Sequence, residues 1–323
     1  VSTKQLAPPW APKLTARTSH LGDRLLQVLT LLGGIATAVV LVGVFYKVFD
    51  QASLAISRFG LAFIGRQEWN PVTGHFGAAD FLFGTAVTSA FALLIAAPLS
   101  LAIALFLTEL APRPLQAPVG MLVELLAAIP SAVLGLWGIA VMGPVLARTI
   151  EPALRSVLGF MPLFSGPSSP AGLLPAALVL TIMTVPIVST VTRELFASVP
   201  RELKEGALAL GATRWEMVKL VILPYSRNGI VGAVLLGLGR ALGEAIAVAM
   251  VVGHTPGIHA SLFAPGDTLA SRIASEYLGA TTTLQISSLA YLAGILLVLA
   301  VLSNLVARTV AGAAAGVPGA VAR

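Results

Sequence analysis

Residues Phe81 to Leu107 read FLFGTAVTSAFALLIAAPLSLAIALFL, an unbroken run without a charged side chain. As a helix at 1.5 Å per residue this run is about 40 Å long, enough to cross a bilayer core of about 30 Å with some tilt. Runs of the same kind recur through the chain. Of its 323 residues, 57% are hydrophobic and 11% are charged, where soluble proteins carry roughly 25% charged residues. A soluble domain so poor in charge would leave large apolar patches in water and aggregate. A membrane β-barrel would show short alternating segments, and these runs are continuous. Composition and pattern therefore predict an all-α polytopic membrane protein. The absence of cysteine excludes disulfide scaffolds, thiolate zinc sites, thiol catalysis and iron–sulfur chemistry.

Six apolar runs stand out, at about Leu25–Phe49, Phe81–Leu107, Val119–Leu146, Leu173–Val191, Gly229–Gly253 and Ile286–Val306. They predict a six-span domain over 25–310, between an N-terminal tail, 1–24, and a C-terminal tail, 311–323. Tyr46-Lys47-Val48-Phe49 closes the first run where a signal peptide would need small residues, so the run reads as a retained anchor. Alternate connections differ in charge. The N-terminus, the loop around Arg113, the segment Arg193–Arg227 and the C-terminus hold about 13 Lys and Arg, and the other connections about 6. The positive-inside rule then puts both termini and Arg193–Arg227 in the cytoplasm. The net charge of +6 belongs with an anionic membrane surface rather than with nucleic acid. Three longer connections face outward. Asp50–Asp80 contains Trp69-Asn70-Pro71, and its first part, Ala52–Ile64, is apolar enough for a short interfacial helix. Ala147–Gly172 is rich in Pro, Gly and Ser. His254–Gln285 carries Pro256, Pro265 and Asp267.

The largest polar island is Pro200-Arg201-Glu202-Leu203-Lys204-Glu205-Gly206-Ala207-Leu208-Ala209-Leu210-Gly211. Pro200 suits a first helical turn, where no N–H is needed. Glu202 and Glu205 sit near the positive end of the dipole. Gly211 suits the left-handed position that ends a helix. Thr213 and Glu216 have the spacing of a capping box, so a second short helix follows and ends near Leu223-Pro224. Two short helices joined by a glycine elbow would present a knob on the cytoplasmic face.

This island, at about 197–224, resembles the EAA loop of ABC-importer permeases: Glu205-Gly206-Ala207, then Gly211, then Val221, Leu223 and Pro224. Gly206 stands where Ala is usual and Val221 where Ile is usual. Further motifs, spread over nearly the whole chain, resemble the PstC-type permeases of phosphate-specific ABC importers. They are Trp69-Asn70-Pro71, Gly84-Thr85 with Thr88-Ser89, Glu124-Leu125-Leu126-Ala127-Ala128-Ile129-Pro130-Ser131, Gly135-Leu136-Trp137-Gly138 and Gly239-Arg240-Ala241-Leu242-Gly243-Glu244. The resemblance implies a six-helix permease in a bacterial inner or plasma membrane. It implies that Glu205, Gly206, Ala207, Gly211, Leu223 and Pro224 couple it to an ATPase. It also implies a PstA-like permease partner, two PstB-like ATPase subunits and a PstS-like phosphate-binding protein. No cofactor is expected on this chain, with ATP and Mg held by the ATPase. None of the five lysines follows a glycine, so no phosphate-cradling Gly-Lys-Ser/Thr loop is present. An ion-coupled anion transporter and an ABC permease for molybdate or sulfate are the rival readings.

Arg240 falls roughly midway along the fifth run, where a lone Arg costs about 2.5–3.5 kcal/mol to insert. Glu244, one turn on, shares its helix face. The pair neutralises itself when empty, and the guanidinium can offer paired N–H donors to an oxyanion. A purely structural ion pair is the alternative. Glu124, in the third run, either snorkels to the interface, or faces the pathway or pairs with Arg240. Pro130 and Pro186 interrupt the third and fourth runs and predict bends. Thr85, Thr88, Ser89 and Ser131 either line a polar route or bond their own backbone. Gly232, Gly237, Gly239 and Gly243 suggest a close helix contact with a second permease subunit. His254 and His259 have no third metal ligand nearby. No catalytic constellation is visible, so no enzymatic role is expected.

Overall fold

A computed structural model describes residues 19–315. Most of both expected tails, residues 1–18 and 316–323, lies outside the described residues. The chain divides into two units, Val1–Lys47 and Val48–Arg323. The described part of the first is helix throughout, and its Leu and Val side chains from Leu25 to Val44 are exposed, as a lipid-facing surface requires. Among the described residues there is no strand, only two isolated bridges.

Six helical runs are long and apolar enough to cross a membrane: Gly22–Phe59, Ala79–Leu110, Ser131–Leu158, Leu173–Ala197, Arg214–Gly243 and Thr283–Val306. Helix α1 (Ser19–Phe59) and the short α2 (Ala62–Gly65) come first. The expected interfacial helix at Ala52–Ile64 is instead the end of α1 followed by α2. Ala52, Ala55 and Phe63 are fully buried, so this stretch belongs to a core and not to the bilayer surface. Span two is α3 (Ala79–Leu105) closed by a π-helical turn, Phe106–Leu110.

The third span departs most from expectation. Helix α4 (Arg113–Ala128) stops, and α5 (Ser131–Trp137) begins after an extended Ile129 and Pro130. The crossing run then continues through α6 (Gly143–Val145) and α7 (Glu151–Leu158), with π turns at Gly138–Met142 and Leu146–Ile150 between them. The span is therefore Ser131–Leu158, not Val119–Leu146. The residue before a proline is pushed out of the α region, and Pro130 itself supplies no N–H, so the kink expected here is a full break.

Helix α8 (Leu173–Ala197) is the most enclosed span, with buried residues recurring from Leu173 to Phe196. Pro186 lies inside it without ending it. Helix α9 (Arg201–Ala209) follows, then α10 (Arg214–Met217), a π turn at Val218–Ile222, and α11 (Leu223–Gly243). Pro224 was expected to separate a short helix from the fifth span. It sits instead in the first turn of α11, where the π turn has already displaced the hydrogen-bond ladder, so the helix runs on from Arg214. The chain continues with α12 (Ile246–Val251), α13 (Leu269–Glu276) and α14 (Thr283–Ala315).

Three apolar clusters hold the second unit. One joins spans two to four with α12, around Leu180, Met183, Val248 and Phe263. Another packs the end of α1 against span two and α14, around Phe63, Phe76, Phe81 and Leu289. The third lies at the other end, around Ala104, Phe196, Met217 and Ile222. A β-carbon on Gly237 would meet Val188 and Thr184 of α8 at 2.7 and 2.8 Å, so that glycine serves packing within this chain. Gly232, Gly239 and Gly243 have nothing within 4 Å of an added Cβ and face open space.

Candidate functional site

The fifth span ends where the sequence shows no interruption. Gly243 closes α11, Glu244 is extended with ψ 114°, and α12 starts at Ile246. Arg240 thus stands in the last turn of a helix and not at the middle of one, a correction to its expected place. There the negative end of the helix dipole favours a cation. Glu244 Oε2 lies 3.5 Å from an Arg240 Nη, and its Oε1 accepts from Ala247 N at 3.3 Å. Glu244 is buried at 8% exposure while Arg240 remains 45% exposed, so the carboxylate is fixed and the guanidinium is accessible.

Arg240 opens onto a cavity of about 110 Å³, shared with Leu126, Ala127, Ile129, Leu134, Met183 and Ile187. The first four of these neighbours flank the break at Pro130, and the last two belong to α8. Two interrupted helices therefore meet at one small chamber. Among the described residues, Arg240 is the one charged residue lining it. Its guanidinium offers N–H donors of the kind an oxyanion accepts.

The remaining expected pathway residues lie elsewhere. Glu124 does not meet Arg240. It accepts from Arg193 of α8 at 2.6 Å and is half exposed. Thr85, Thr88 and Ser89 donate to Phe81, Gly84 and Thr85 carbonyls at 2.7, 2.7 and 2.6 Å, and the Thr85 hydroxyl also accepts from Leu269 N at 3.0 Å, which ties α3 to the start of α13.

The polar island forms as its sequence predicts. Pro200 is the residue just before α9, and Gly211 takes φ +88°, a value only glycine adopts without strain. Thr213 N donates to Glu216 at 2.8 Å and Glu216 N donates to the Thr213 hydroxyl at 3.2 Å, the reciprocal capping box. Glu205 and Gly206 are exposed, while Ala207 and Leu223 pack on the cluster beneath. Pro224 is exposed at the start of α11. Leu208, Leu210 and Trp215 are uncovered apolar side chains on this otherwise polar knob.

Comparison with known proteins agrees with this architecture. The family described as binding-protein-dependent transport system inner membrane component matches residues 99–312. The chain belongs to that family. The permease is 45% identical over 91% of its length, and 91% of the relative's, to the phosphate transport system permease protein PstC of Mesorhizobium japonicum. It is 47% identical to PstC of Xylella fastidiosa strain Temecula1, covering 71% of this chain and 72% of the relative. A bacterial alginate ABC transporter, in complex with alginate pentasaccharide-bound periplasmic protein, shares the fold at TM-score 0.56 and 18% identity, covering 91% of this chain and 97% of that one. The inward-facing MetNI methionine ABC transporter does so at TM-score 0.50 and 21% identity, covering 74% and 94%. The protein is a multi-pass permease of the ABC-importer type, a class that works with an ATPase and a binding protein.

Away from the knob, the permease carries a buried charge network that reading for apolar runs passes over. Asp267 is fully buried and accepts from Arg272 at 2.7 Å, from Thr268 N at 2.8 Å and from Ser271. Arg272 also pairs with Glu276 and lies over the Phe81 ring at 4.9 Å. Glu276 accepts from the Trp69 indole at 2.9 Å. Trp69 meets Phe76 and Phe81 edge-on, and the Asn70 side chain accepts from Val72 N and Thr73 N, so Trp-Asn-Pro is an anchor followed by a tight turn. His254 is 3.2 Å from Asp267, and the Asp267 carboxylate raises the imidazole pKa above its ordinary value. The sequence signal was Thr268-x-x-Ser271, a helix-start pattern beside an acid and four residues from a base pair of Arg272 and Glu276.

Proposed function

We propose that this permease is one half of the membrane core of an ATP-driven importer for inorganic phosphate. The observation that carries the reading is Arg240, accessible at the end of a broken helix and the one charged group on the chamber. An arginine there gives an oxyanion two parallel N–H donors, and the family restricts the process to import with a binding protein. The relatives named for phosphate transport supply the substrate class. A weak chamber suffices, because a tight site would trap the ion, and selection falls to the binding protein. The partners are a PstA-like permease, two PstB-like ATPase subunits holding ATP and Mg, and a PstS-like binding protein. Glu205, Gly206, Ala207, Gly211, Leu223 and Pro224 form or support the ATPase-facing knob. The charge bias supports a six-span domain over 25–310 with both termini in the cytoplasm, at a bacterial inner membrane.

The test is uptake of labelled phosphate by cells whose own copy is deleted and replaced by variants. Loss of a charge-assisted contact is worth roughly 1.5–3 kcal/mol, so Arg240→Gln is expected to lower uptake about 10–100-fold at normal membrane abundance. Arg240→Lys, which keeps the charge and loses the fork, is expected to fall between. Uptake at the unmodified level from both variants refutes a pathway role for Arg240.

A further inference from the structure

Lys204 sits on α9 among residues that face outward, yet its ammonium is turned into the membrane domain. Its Nζ lies 2.6 Å from Glu109 Oε1 and donates to the Phe196 carbonyl at 3.0 Å. The Lys204 and Glu109 side chains are only 17% and 14% exposed. Glu109 belongs to the π turn that closes span two, and Phe196 to the last turn of α8. One cation therefore fastens the knob to two spans. Below it, Phe196 is fully buried with Ala104 and Ile222, and Ala207 of α9 packs on the same cluster. Spans two and four pack together along their length. Met183 and Ile187, on that same α8, form a wall of the Arg240 chamber.

An exposed ion pair opens and closes freely, and water replaces each partner at little cost. A pair with little water around it cannot open without stranding a charge, so it behaves as a fixed strut. The π turn suits this role, since it places Glu109 off the regular helix register. We infer that the Lys204–Glu109 pair is the link that carries displacement of α9 into spans two and four, and along α8 to the chamber. Neither residue touches substrate; both are positioning residues. The inference rests on the proposed docking of an ATPase on α9.

The experiment uses the whole importer in proteoliposomes, the permease with its partner permease and ATPase subunits and the binding protein. Glu109→Gln preserves size, removes the charge and lies off the docking knob. A single cysteine at Ile187, in a chain with none of its own, reports chamber access by thiol labelling before and after ATP. In the Glu109→Gln complex, ATP hydrolysis is expected within about twofold of the unmodified rate while phosphate moved per ATP falls at least about fivefold. The ATP-dependent change in Ile187→Cys labelling should disappear with it. Exchanging the charges, Glu109→Lys with Lys204→Glu, is expected to restore both readouts in part, because a glutamate at 204 renews the ion pair and cannot donate to the Phe196 carbonyl. An assembled Glu109→Gln complex with unchanged transport per ATP and unchanged labelling overturns the link. So does a single variant that fails to assemble and is not restored by the exchange. If the unmodified complex hydrolyses ATP and changes labelling yet moves no phosphate, the substrate reading fails alone, and the labelling still decides the strut.

Discussion

A guanidinium in a membrane is least costly where fixed dipoles already favour it. The end of α11 supplies unpaired carbonyls to Arg240, and such terminal interactions contribute roughly 0.3–2 kcal/mol against the insertion cost. Glu244 completes the balance and is itself held by Ala247 N. At the same scale, Gly206 has a measurable consequence. It is helical, exposed and has open space where a Cβ would sit. Gly206→Ala is therefore expected to stabilise α9 by about 0.5–1 kcal/mol, seen as a higher melting temperature of the purified permease. A lower melting temperature would show that the glycine is needed for its backbone. Lys204 and Glu109 illustrate the opposite case, a pair whose chemistry is visible in the sequence but whose meeting depends on how α9 folds back on span two.

At the scale of elements, the short helix α13 and the loop before it are joined through buried charge. Asp267 has no exposed side-chain surface and faces Arg272, His254 and the start of α13. Asp267→Asn removes one of the two carboxylates on Arg272, leaving Glu276 as its partner, and is expected to cost about 1.5–3 kcal/mol of unfolding free energy, measured by denaturant titration in detergent. Near-neutral stability of that variant would refute the network as a structural clamp. His254 adds a pH dependence of definite sign. Its folded pKa is raised from the usual 6.5 by Asp267, with Arg272 opposing. The added stability is therefore complete below that ordinary value and is lost as pH rises through the raised one. Melting temperature should fall from about pH 6 to about pH 8 in the unmodified protein, and the fall should be smaller in His254→Gln. Equal slopes would dismiss the imidazole as its source. The helix ends separate what the sequence displays from what it hides. Gly211 and the Thr213–Glu216 box were legible because capping is local chemistry. The break at Glu244 was not, because hydropathy continues across it and only Gly243 marks it. At Pro130 a kink was legible but not a stop, and so the third span was placed too early.

For the whole molecule, six spans and the polar knob of α9 and α10 follow from patterns that run along the chain, so both were legible in the sequence. The chamber was not, because it is made where α4, α5, α8 and α11 converge from distant parts of the sequence. Reading had grouped Glu124 with Arg240; folding gives Glu124 to Arg193 and leaves Arg240 facing an apolar wall. In the proposed importer, Arg240 would meet the ion, the polar knob would meet the motor, and the Lys204–Glu109 pair would link them. The most direct measurement is accumulation of labelled phosphate in proteoliposomes containing the complete importer, with ATP at the motor face and binding protein at the other. The account expects uptake that requires ATP, survives collapse of ion gradients, and is not displaced by sulfate or molybdate. Uptake driven by an ion gradient without ATP, or ATP-driven uptake of another oxyanion in place of phosphate, would contradict it.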